Sequence, residues 1–184
     1  MLLSIIGMLH QWLFFLFLAV CGFVGCSDTS KKSANDLPSL ILITSDPYTY
    51  GIGEIMVHVS MLPLHSSYQN VIAIRGAEAN LNYIKNSIQE INQHSFDVIV
   101  FAHSDKRGFH LLRDLENKSV LISPMDLGKA INSPHLRYFY TSGCSGEVAL
   151  TELGSASRAQ SVIVHKGISM IPAVPFFAFE FFRL

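Results

Sequence analysis

Two apolar stretches, each followed by a chemically reactive side chain, determine the interpretation of this sequence. The first is FDVIVFAH, residues 96–103, and the second is LRYFYTSGC, residues 136–144. Each opens with a short β-branched or aromatic run of the kind found in a strand buried in a parallel sheet. The sequence therefore predicts strands at Phe96–Ala102 and Leu136–Thr141, with His103 and Cys144 just beyond their ends.

Similar runs predict the rest of a sheet, separated by segments with helical periodicity. Further strands are expected at Ser39–Thr44, Val71–Arg75 and Ser161–His165. Residues 77–91 repeat an apolar side chain at helical spacing, and Ser123 is placed to cap a second helix that has Pro124 at its first position. This alternation indicates an α/β fold with a mainly parallel sheet flanked by helices on both faces. Chemistry in such sheets lies at the carboxyl ends of the strands.

Several segments remain open in the sequence. Residues 51–64 fit either a strand or a helix, and Val174–Leu184 fits a short aromatic helix or a docking tail. The charged residues 105–107, directly after His103, are expected to form a solvated loop tip. A short helix is expected at Glu147–Leu153.

Composition excludes several classes of function. The 13 basic and 14 acidic residues leave a net charge of −1, so no basic face supports nucleic-acid binding. The chain has no phosphate-binding glycine pattern and no dinucleotide fingerprint. His110 and His135 could join Cys144 around zinc, but no ligand-pair spacing supports such a site. We therefore expect no metal and no organic cofactor.

An apolar leader, Met1–Gly25, precedes Cys26 and a polar run at 27–36. Residues 24–26 resemble the lipobox of bacterial lipoproteins, in which the leader is removed and the cysteine is acylated, for example with palmitate. The first basic residue is Lys31, so an uncleaved membrane anchor and a misassigned start codon are alternative interpretations. We expect a signal peptide or anchor at 1–25, a flexible tether at 26–37 and a folded domain at 38–184.

The expected cellular location of the protein depends on how the leader is interpreted. A lipoprotein signal indicates a bacterial cell envelope, and Ser27 after the acylated cysteine is compatible with sorting to the outer membrane. An uncleaved leader would instead hold the chain in the inner membrane, with residues 27 onward in the cytoplasm. Cleavage before Cys26 would remove Cys21 and leave Cys144 as the one free thiol of the mature chain.

His103 and Cys144 are the residue types of a nucleophilic pair. A thiol becomes a strong nucleophile when a nearby base accepts its proton, and imidazole titrates close to neutral pH. Gly143 and Gly146 allow a tight turn around Cys144 and the close approach of a substrate backbone. A small buried hydrophobic cysteine and a surface histidine are the ordinary alternatives.

The order of these elements resembles the caspase-like cysteine peptidases, a group that includes caspases, metacaspases, legumain, clostripain, gingipains and CHAT domains. The resemblance rests on the strand that ends at His103, on the later strand that ends in the Gly-Cys-Ser-Gly turn at 143–146, and on the surrounding order of strands and helices. It covers residues 38–184 and implies a caspase-like three-layer sandwich.

The resemblance also implies roles for individual residues. His103 would be the base and Cys144 the nucleophile, and the backbone amides of Ser104 and Cys144 would form the oxyanion hole. Ser104 stands where the family has glycine. Asp46 would line the pocket for the substrate residue before the scissile bond, with a preference for a basic residue, and Glu147 is a second acidic candidate.

The expected activity is that of a cysteine endopeptidase held at a membrane, acting on a peptide or protein substrate. The alternative is an inactive caspase-like module that binds a peptide or protein partner at the cell envelope.

Overall fold

Seven strands form one sheet in the computed structural model, which describes residues 37–45, 52–91, 93–113, 119–141 and 146–164. The strands are β1 (Ser39–Ser45), β2 (Asn70–Arg75), β3 (Phe96–Asp105), β4 (Gly108–Arg113), β5 (Ser119–Ile122), β6 (Leu136–Thr141) and β7 (Ser161–Val164). The α-helices in these ranges are α1 (Ile52–Met61), α2 (Leu81–Ile91), α3 (Pro124–Ala130) and α4 (Gly146–Ala156). None of them is long and apolar enough to cross a membrane.

The sheet is mostly parallel, and β3 lies near its centre. β3 pairs in parallel with β1 on one side and with β6 on the other, and β2 and β7 extend the sheet beyond these two strands. Only β4 and β5 are antiparallel, since β4 folds back on the last three residues of β3 and β5 pairs with β4. The predicted α/β class with a mainly parallel sheet is confirmed.

The core consists of two apolar clusters, because side chains alternate between the faces of a buried strand. In β1, Ile41 and Ile43 belong to one cluster, and Leu40 and Leu42 belong to the other. The first cluster takes in side chains of α2, α3 and α4, namely Ile84, Ile88, Leu127 and Leu153. The second takes in Val57 and Met61 of α1. Every residue of β1 is buried, which fits the run of four apolar side chains at residues 40–43.

The predicted strands are all present, and the open segment 51–64 is helical. It forms α1, followed by a 3-10 helix at Leu62–Ser67. The predicted cap of α3 is confirmed: Ser123 Oγ accepts a hydrogen bond of 3.1 Å from the Asp126 amide, and Pro124 begins the helix. The helix at Glu147–Leu153 is confirmed within α4. The helix expected over 77–91 begins later, since residues 76–78 form a 3-10 turn.

A buried ionic cluster joins β3 to β6 at the amino end of the sheet. Asp97 is fully buried and accepts hydrogen bonds from Arg137 Nε at 3.0 Å and from Arg137 Nη2 at 2.7 Å. The Tyr68 hydroxyl donates to the same carboxylate at 2.9 Å, and the Tyr138 amide donates at 3.3 Å. Burial and the Asp97 charge raise the pKa of the Tyr68 hydroxyl far above its ordinary value. Although burial lowers the pKa of the Arg137 guanidinium, the bond to Asp97 and its charge raise it overall.

The register between β3 and β6 shifts beside this cluster. Phe96 pairs with Leu136, whose number is higher by 40, whereas the next three pairs differ by 41 (98 with 139, 99 with 140, 100 with 141). β6 thus contains one extra residue between Leu136 and Phe139, which is a β-bulge. Arg137 lies in this bulge, and its side chain returns to β3 through Asp97. The bulge therefore sets the register of the pairs from Val98 with Phe139 to Val100 with Thr141.

The sequence did not predict the hairpin of β3 and β4 or the strand β5. β3 continues three residues beyond the expected Ala102, turns at residues 106–107 and returns as β4. Gly108 makes this path possible, because its φ of 148° is rarely adopted by L side chains. A Cβ atom at Gly108 would also collide with the Ile122 carbonyl of β5. The conformation of Gly108 thus permits the close approach of β5 to β4.

Candidate functional site

The carboxyl ends of β1, β3 and β6 lie at the same edge of the sheet. Thr44 pairs with Phe101, and Val100 pairs with Thr141, the last residue of β6. His103 lies three residues beyond the last pair between β3 and β6. Phe101 packs in the cluster that contains α1, so the alternation of β3 directs His103 toward the α1 face. The sequence pattern predicts His103 just beyond the strand, whereas it lies inside β3, two residues before the strand ends at Asp105, because the pairing with β4 extends the strand.

Only part of the predicted site lies within the described residues. His103 and Ser104 belong to β3 and are described. Asp46 and Cys144, as well as the lipidation candidate Cys26, lie outside the described residues. Glu147 lies in the first turn of α4, but its side chain is outside the described part.

The ring of His103 packs against the ring of His110 on β4. The two residues are direct cross-strand partners, their ring centroids are 5.0 Å apart, and the rings are tilted by 46°. Both residues are partly buried. The two-residue turn at 106–107 is responsible for this contact, because residues equally distant from a hairpin turn face each other.

The carboxylate of Asp105 holds the ring of His110 at its Nε2 atom. Its Oδ2 atom lies 3.1 Å from His110 Nε2, and only 13% of the His110 side chain is exposed. Arg107 in turn holds Asp105: its backbone amide donates to Oδ1 at 2.8 Å and its Nη2 donates to Oδ2 at 2.8 Å. These hydrogen bonds, first those from Arg107 and then that from His110, lower the pKa of the Asp105 carboxyl far below its usual range. Asp105 is therefore a carboxylate throughout the pH range in which histidine titrates.

The charged sequence at residues 105–107 predicts a solvated loop tip and gives no link between Asp105 and His110. The assignment fits Arg107, whose side chain is 71% exposed, but not Asp105, which ends β3 and contacts His110. A signal for this arrangement is nevertheless present in the sequence. Gly108 follows the charged pair at 106–107, and His103 and His110 lie at equal distances from that pair.

Ser104, where the resembled peptidases have glycine, is an ordinary strand residue. Its side chain is 3% exposed, and it pairs with Phe109 across the hairpin. Phe109 is fully buried in the cluster that contains α2, α3 and α4. The Ser104 side chain therefore lies on the face opposite His103, away from any substrate that would contact the imidazole.

A third histidine lies near the same edge of the sheet. His58 on α1 is 3.4 Å from the hydroxyl of Thr44, near the end of β1. Burial, followed by the charges of Arg75 and His65, lowers the pKa of His58 to about 4. His58 is therefore neutral at physiological pH, and it can serve as a hydrogen-bonding group but not as a cation.

Across residues 37–45, 52–91, 93–113, 119–141 and 146–164, no group of three or more histidine, cysteine, aspartate or glutamate side chains is arranged to hold a metal ion. The described part of the site instead offers an imidazole at a strand end, with a second imidazole and a carboxylate arranged behind it. This arrangement can hold and orient an imidazole near the end of β3. No protein-family model matches this chain, and no curated protein is similar enough in sequence to match it.

Proposed function

We propose that this chain is a cysteine endopeptidase tethered to a membrane, in which His103 is the general base and Cys144 the nucleophile. The finer fold that we propose is the caspase-like three-layer sandwich, with α1 covering one face of the sheet and α2, α3 and α4 the other. The core clusters support this arrangement, since α1 packs with Leu40 and Leu42, and the other three helices pack with Ile41 and Ile43.

The register of β3 and β6 is the single observation that carries the proposal. These strands are neighbours and parallel, and beyond the bulge their paired residues differ by 41 in number. His103 and Cys144 also differ by 41. A continuation of the same pairing would set these two residues opposite each other on one face, with their backbones about 4.8 Å apart. Proton transfer between an imidazole and a thiol requires this proximity.

The proposed reaction proceeds in two steps. His103 accepts the proton of the Cys144 thiol, and the sulfur attacks the carbonyl carbon of the scissile peptide bond. The backbone amides of Ser104 and Cys144 donate to the developing oxyanion. The C–N bond then breaks, the amine leaves with the proton held by His103, and an acyl group remains on sulfur. Water, deprotonated by His103, releases the acid and restores the thiol.

Substrate preference and attachment complete the proposal. Asp46 follows β1, the strand next to β3, and we assign it to the pocket for a basic residue before the scissile bond, with Glu147 as a second acidic group. A carboxylate in such a pocket would pair with an arginine or lysine of the substrate. Acylated Cys26 would tether the domain to a bacterial envelope membrane, with the outer membrane favoured by Ser27.

The second candidate function is that of an inactive binding module with the same fold. It is favoured by Ser104, because the residue after the histidine is a buried, paired strand residue rather than the glycine of the resembled family. An oxyanion hole that requires the freedom of glycine at this position would be lost. The same strand-end cleft would then bind a peptide without cutting it.

Covalent labelling separates the two functions. The full-length chain is treated with peptide acyloxymethyl ketones that carry Arg, Lys, Asp or Asn at the terminal position. We expect labelling by the Arg and Lys probes, its loss in Cys144→Ala and a decrease of roughly 10²-fold or more in His103→Ala. His94→Ala is the control, since this exposed histidine lies at the other end of β3. Labelling of Cys144 at the rate of a free thiol, unchanged in His103→Ala, would favour the binding module.

The tether is tested separately by feeding cells labelled palmitate. We expect the label on the wild-type chain and its absence from Cys26→Ala. Retention of palmitate by that variant would exclude Cys26 as the acylated residue.

A further inference from the structure

We propose that His110, anchored by Asp105, is a positioning residue that holds the imidazole of His103 in its working orientation. The inference rests on the proposed function, since it assigns a task to His110 in the activation of Cys144. It follows from a continuous set of contacts in the hairpin of β3 and β4. These contacts run from Arg107 to Asp105, from Asp105 to His110 and from His110 to His103.

A histidine base needs a third group because imidazole can rotate and can carry its proton on either nitrogen. In nucleophile–histidine pairs, another side chain commonly orients the base. His110 is placed for this task, since it pairs with His103 across the hairpin with ring centroids 5.0 Å apart. Contact with a fixed neighbouring ring restricts the rotation of the His103 side chain.

His110 can act as a fixed support because its own ring is held. The carboxylate of Asp105 only accepts hydrogen bonds, so the 3.1 Å contact requires a hydrogen on His110 Nε2. The two bonds of 2.8 Å from Arg107 hold Asp105 itself. All of these groups lie within eight residues of one hairpin, so the support forms together with the turn.

The side of β3 from which His110 contacts His103 also fits the proposed reaction. β4 lies on the β1 side of β3, because the Ser45 hydroxyl of β1 donates a hydrogen bond to the Leu111 carbonyl of β4. The pairing of β3 with β6 ends at Val100, on the opposite side. His110 therefore contacts His103 from the β1 side of β3, which is the side away from β6.

The titratable and charged side chains around His103 must be known before a pH profile is read. In the described residues, the hairpin of β3 and β4 carries Asp105, Lys106, Arg107 and His110 beside His103 in sequence, and α1, which packs in the same cluster as Phe101, carries His58. Asp105 and Arg107 keep their charges throughout the pH range of the measurement, and His58 stays neutral above its pKa of about 4.

The test measures how the full-length chain reacts with the Arg acyloxymethyl ketone, as the maximal inactivation rate kinact and the binding constant KI, from pH 5 to 10. We expect His110→Ala to lower kinact roughly ten- to a hundredfold with KI unchanged, because a displaced base affects the chemical step and not the binding of the peptide. The inflection of the pH profile should move toward about 8.5, the value of an unassisted thiol. His110→Phe keeps a ring but loses the bond to Asp105, and we expect an intermediate decrease.

Two controls distinguish positioning from folding. His94→Ala should leave kinact and the pH profile unchanged, and thermal unfolding of each variant reports any loss of stability. In Cys144→Ser labelled with ¹⁵N-histidine, NMR should show a single His103 tautomer that becomes a mixture after His110→Ala. A merely structural role for His110 would lower the melting temperature but move neither the pH inflection nor the tautomer.

The outcomes are distinct for the two proposals. If Cys144 reacts as a free thiol and is insensitive to His103→Ala in the parent chain, the proposed peptidase function fails and the inference fails with it. If Cys144 depends on His103 but His110→Ala leaves kinact, the pH profile and the His103 tautomer as in the parent, the peptidase stands and the role of His110 is refuted.

Discussion

Removal of the Arg137 guanidinium by Arg137→Met would leave the carboxylate of Asp97 buried without a counter-charge. Asp97 is fully buried, and two of the hydrogen bonds that it accepts come from Arg137, at 3.0 and 2.7 Å. The hydroxyl of Tyr68 and the amide of Tyr138 are neutral donors and cannot replace the lost charge. Removal of one partner of a buried ion pair typically costs about 3–5 kcal/mol.

This loss is a large share of the stability of a domain, which is typically about 5–15 kcal/mol. For a chain of this size it corresponds to a decrease of about 6–20 °C in the melting temperature. We expect to measure it by thermal and urea unfolding of the full-length chain, followed by far-UV circular dichroism. Arg158→Met is the matched control, because Arg158 is exposed and its removal should change the unfolding free energy by less than about 0.5 kcal/mol.

A double variant tests the physical reason. Asp97→Asn removes the buried negative charge, so Asp97→Asn combined with Arg137→Met should be more stable than Arg137→Met alone by at least about 1 kcal/mol. If Arg137→Met unfolds within about 1 kcal/mol of the parent and the double variant is no better, water stabilises the Asp97 carboxylate and the reasoning is refuted.

Three further predictions concern the packing and the pH dependence of the domain. Gly128→Ala should lower the unfolding free energy by about 1–3 kcal/mol, since the new Cβ would lie 2.7 Å from Ala156 Cβ on α4. Gly154→Ala is the contrasting substitution, because its new Cβ would have no atom within 4 Å. It should raise the unfolding free energy by about 0.5–1 kcal/mol through better helix propensity. Because the pKa of His58 is lowered to about 4, its unfolded form binds a proton more readily than its native form, so stability should fall by roughly 1–2 kcal/mol as the pH decreases from 6.5 to 4, after allowance for solvent screening. Thr141→Val should stabilise the domain by about 1 kcal/mol, since the Thr141 hydroxyl is buried without a hydrogen-bond partner among the described residues.

Urea unfolding measures all three predicted changes in unfolding free energy, and a different result would contradict each of them. Equal effects of the two glycine substitutions would contradict the close packing of α3 on α4. For the pH effect, the unfolding free energy of the parent minus that of His58→Gln should decrease from pH 7 to pH 4.5. If this difference stays constant, His58 is excluded as the source of the pH effect. A loss of more than about 1 kcal/mol in Thr141→Val would show that the hydroxyl does have a partner.

The sequence predicted the parallel part of the fold because buried parallel strands have an unmistakable pattern. β1, β3 and β6 are strands of six or more residues built around short β-branched or aromatic runs, and this signal does not depend on the neighbouring strands. The cap of α3 is equally local, since Ser123 and Pro124 suffice to mark it. The carboxyl end of β3, and with it the position of His103, could therefore be located to within a few residues.

The antiparallel part was not predictable in the same way. β5 has four residues, and β4 continues from a charged turn, so neither presents a long apolar run. The turn depends on Gly108, whose φ of 148° is required by the approach of Ile122, a contact between residues that are distant in sequence. The link between Asp105 and His110 depends on this turn. The β-bulge in β6 could not be predicted from the sequence either, because it shifts the pairing of β6 with β3 without interrupting the strand pattern of the sequence.

The β-bulge at Arg137 has a consequence for how this protein can vary among its relatives. The proposed pairing of His103 with Cys144 requires that the count of residues from the bulge to Cys144 stays constant. Under the proposed continuation of this register, a deletion of one residue there would bring Ser145 into line with His103 and turn the thiol toward the other face. In any relative that keeps the proposed chemistry, the seven-residue step from the arginine of the bulge to the cysteine should thus be free of insertions and deletions, even where the sequence around it has diverged.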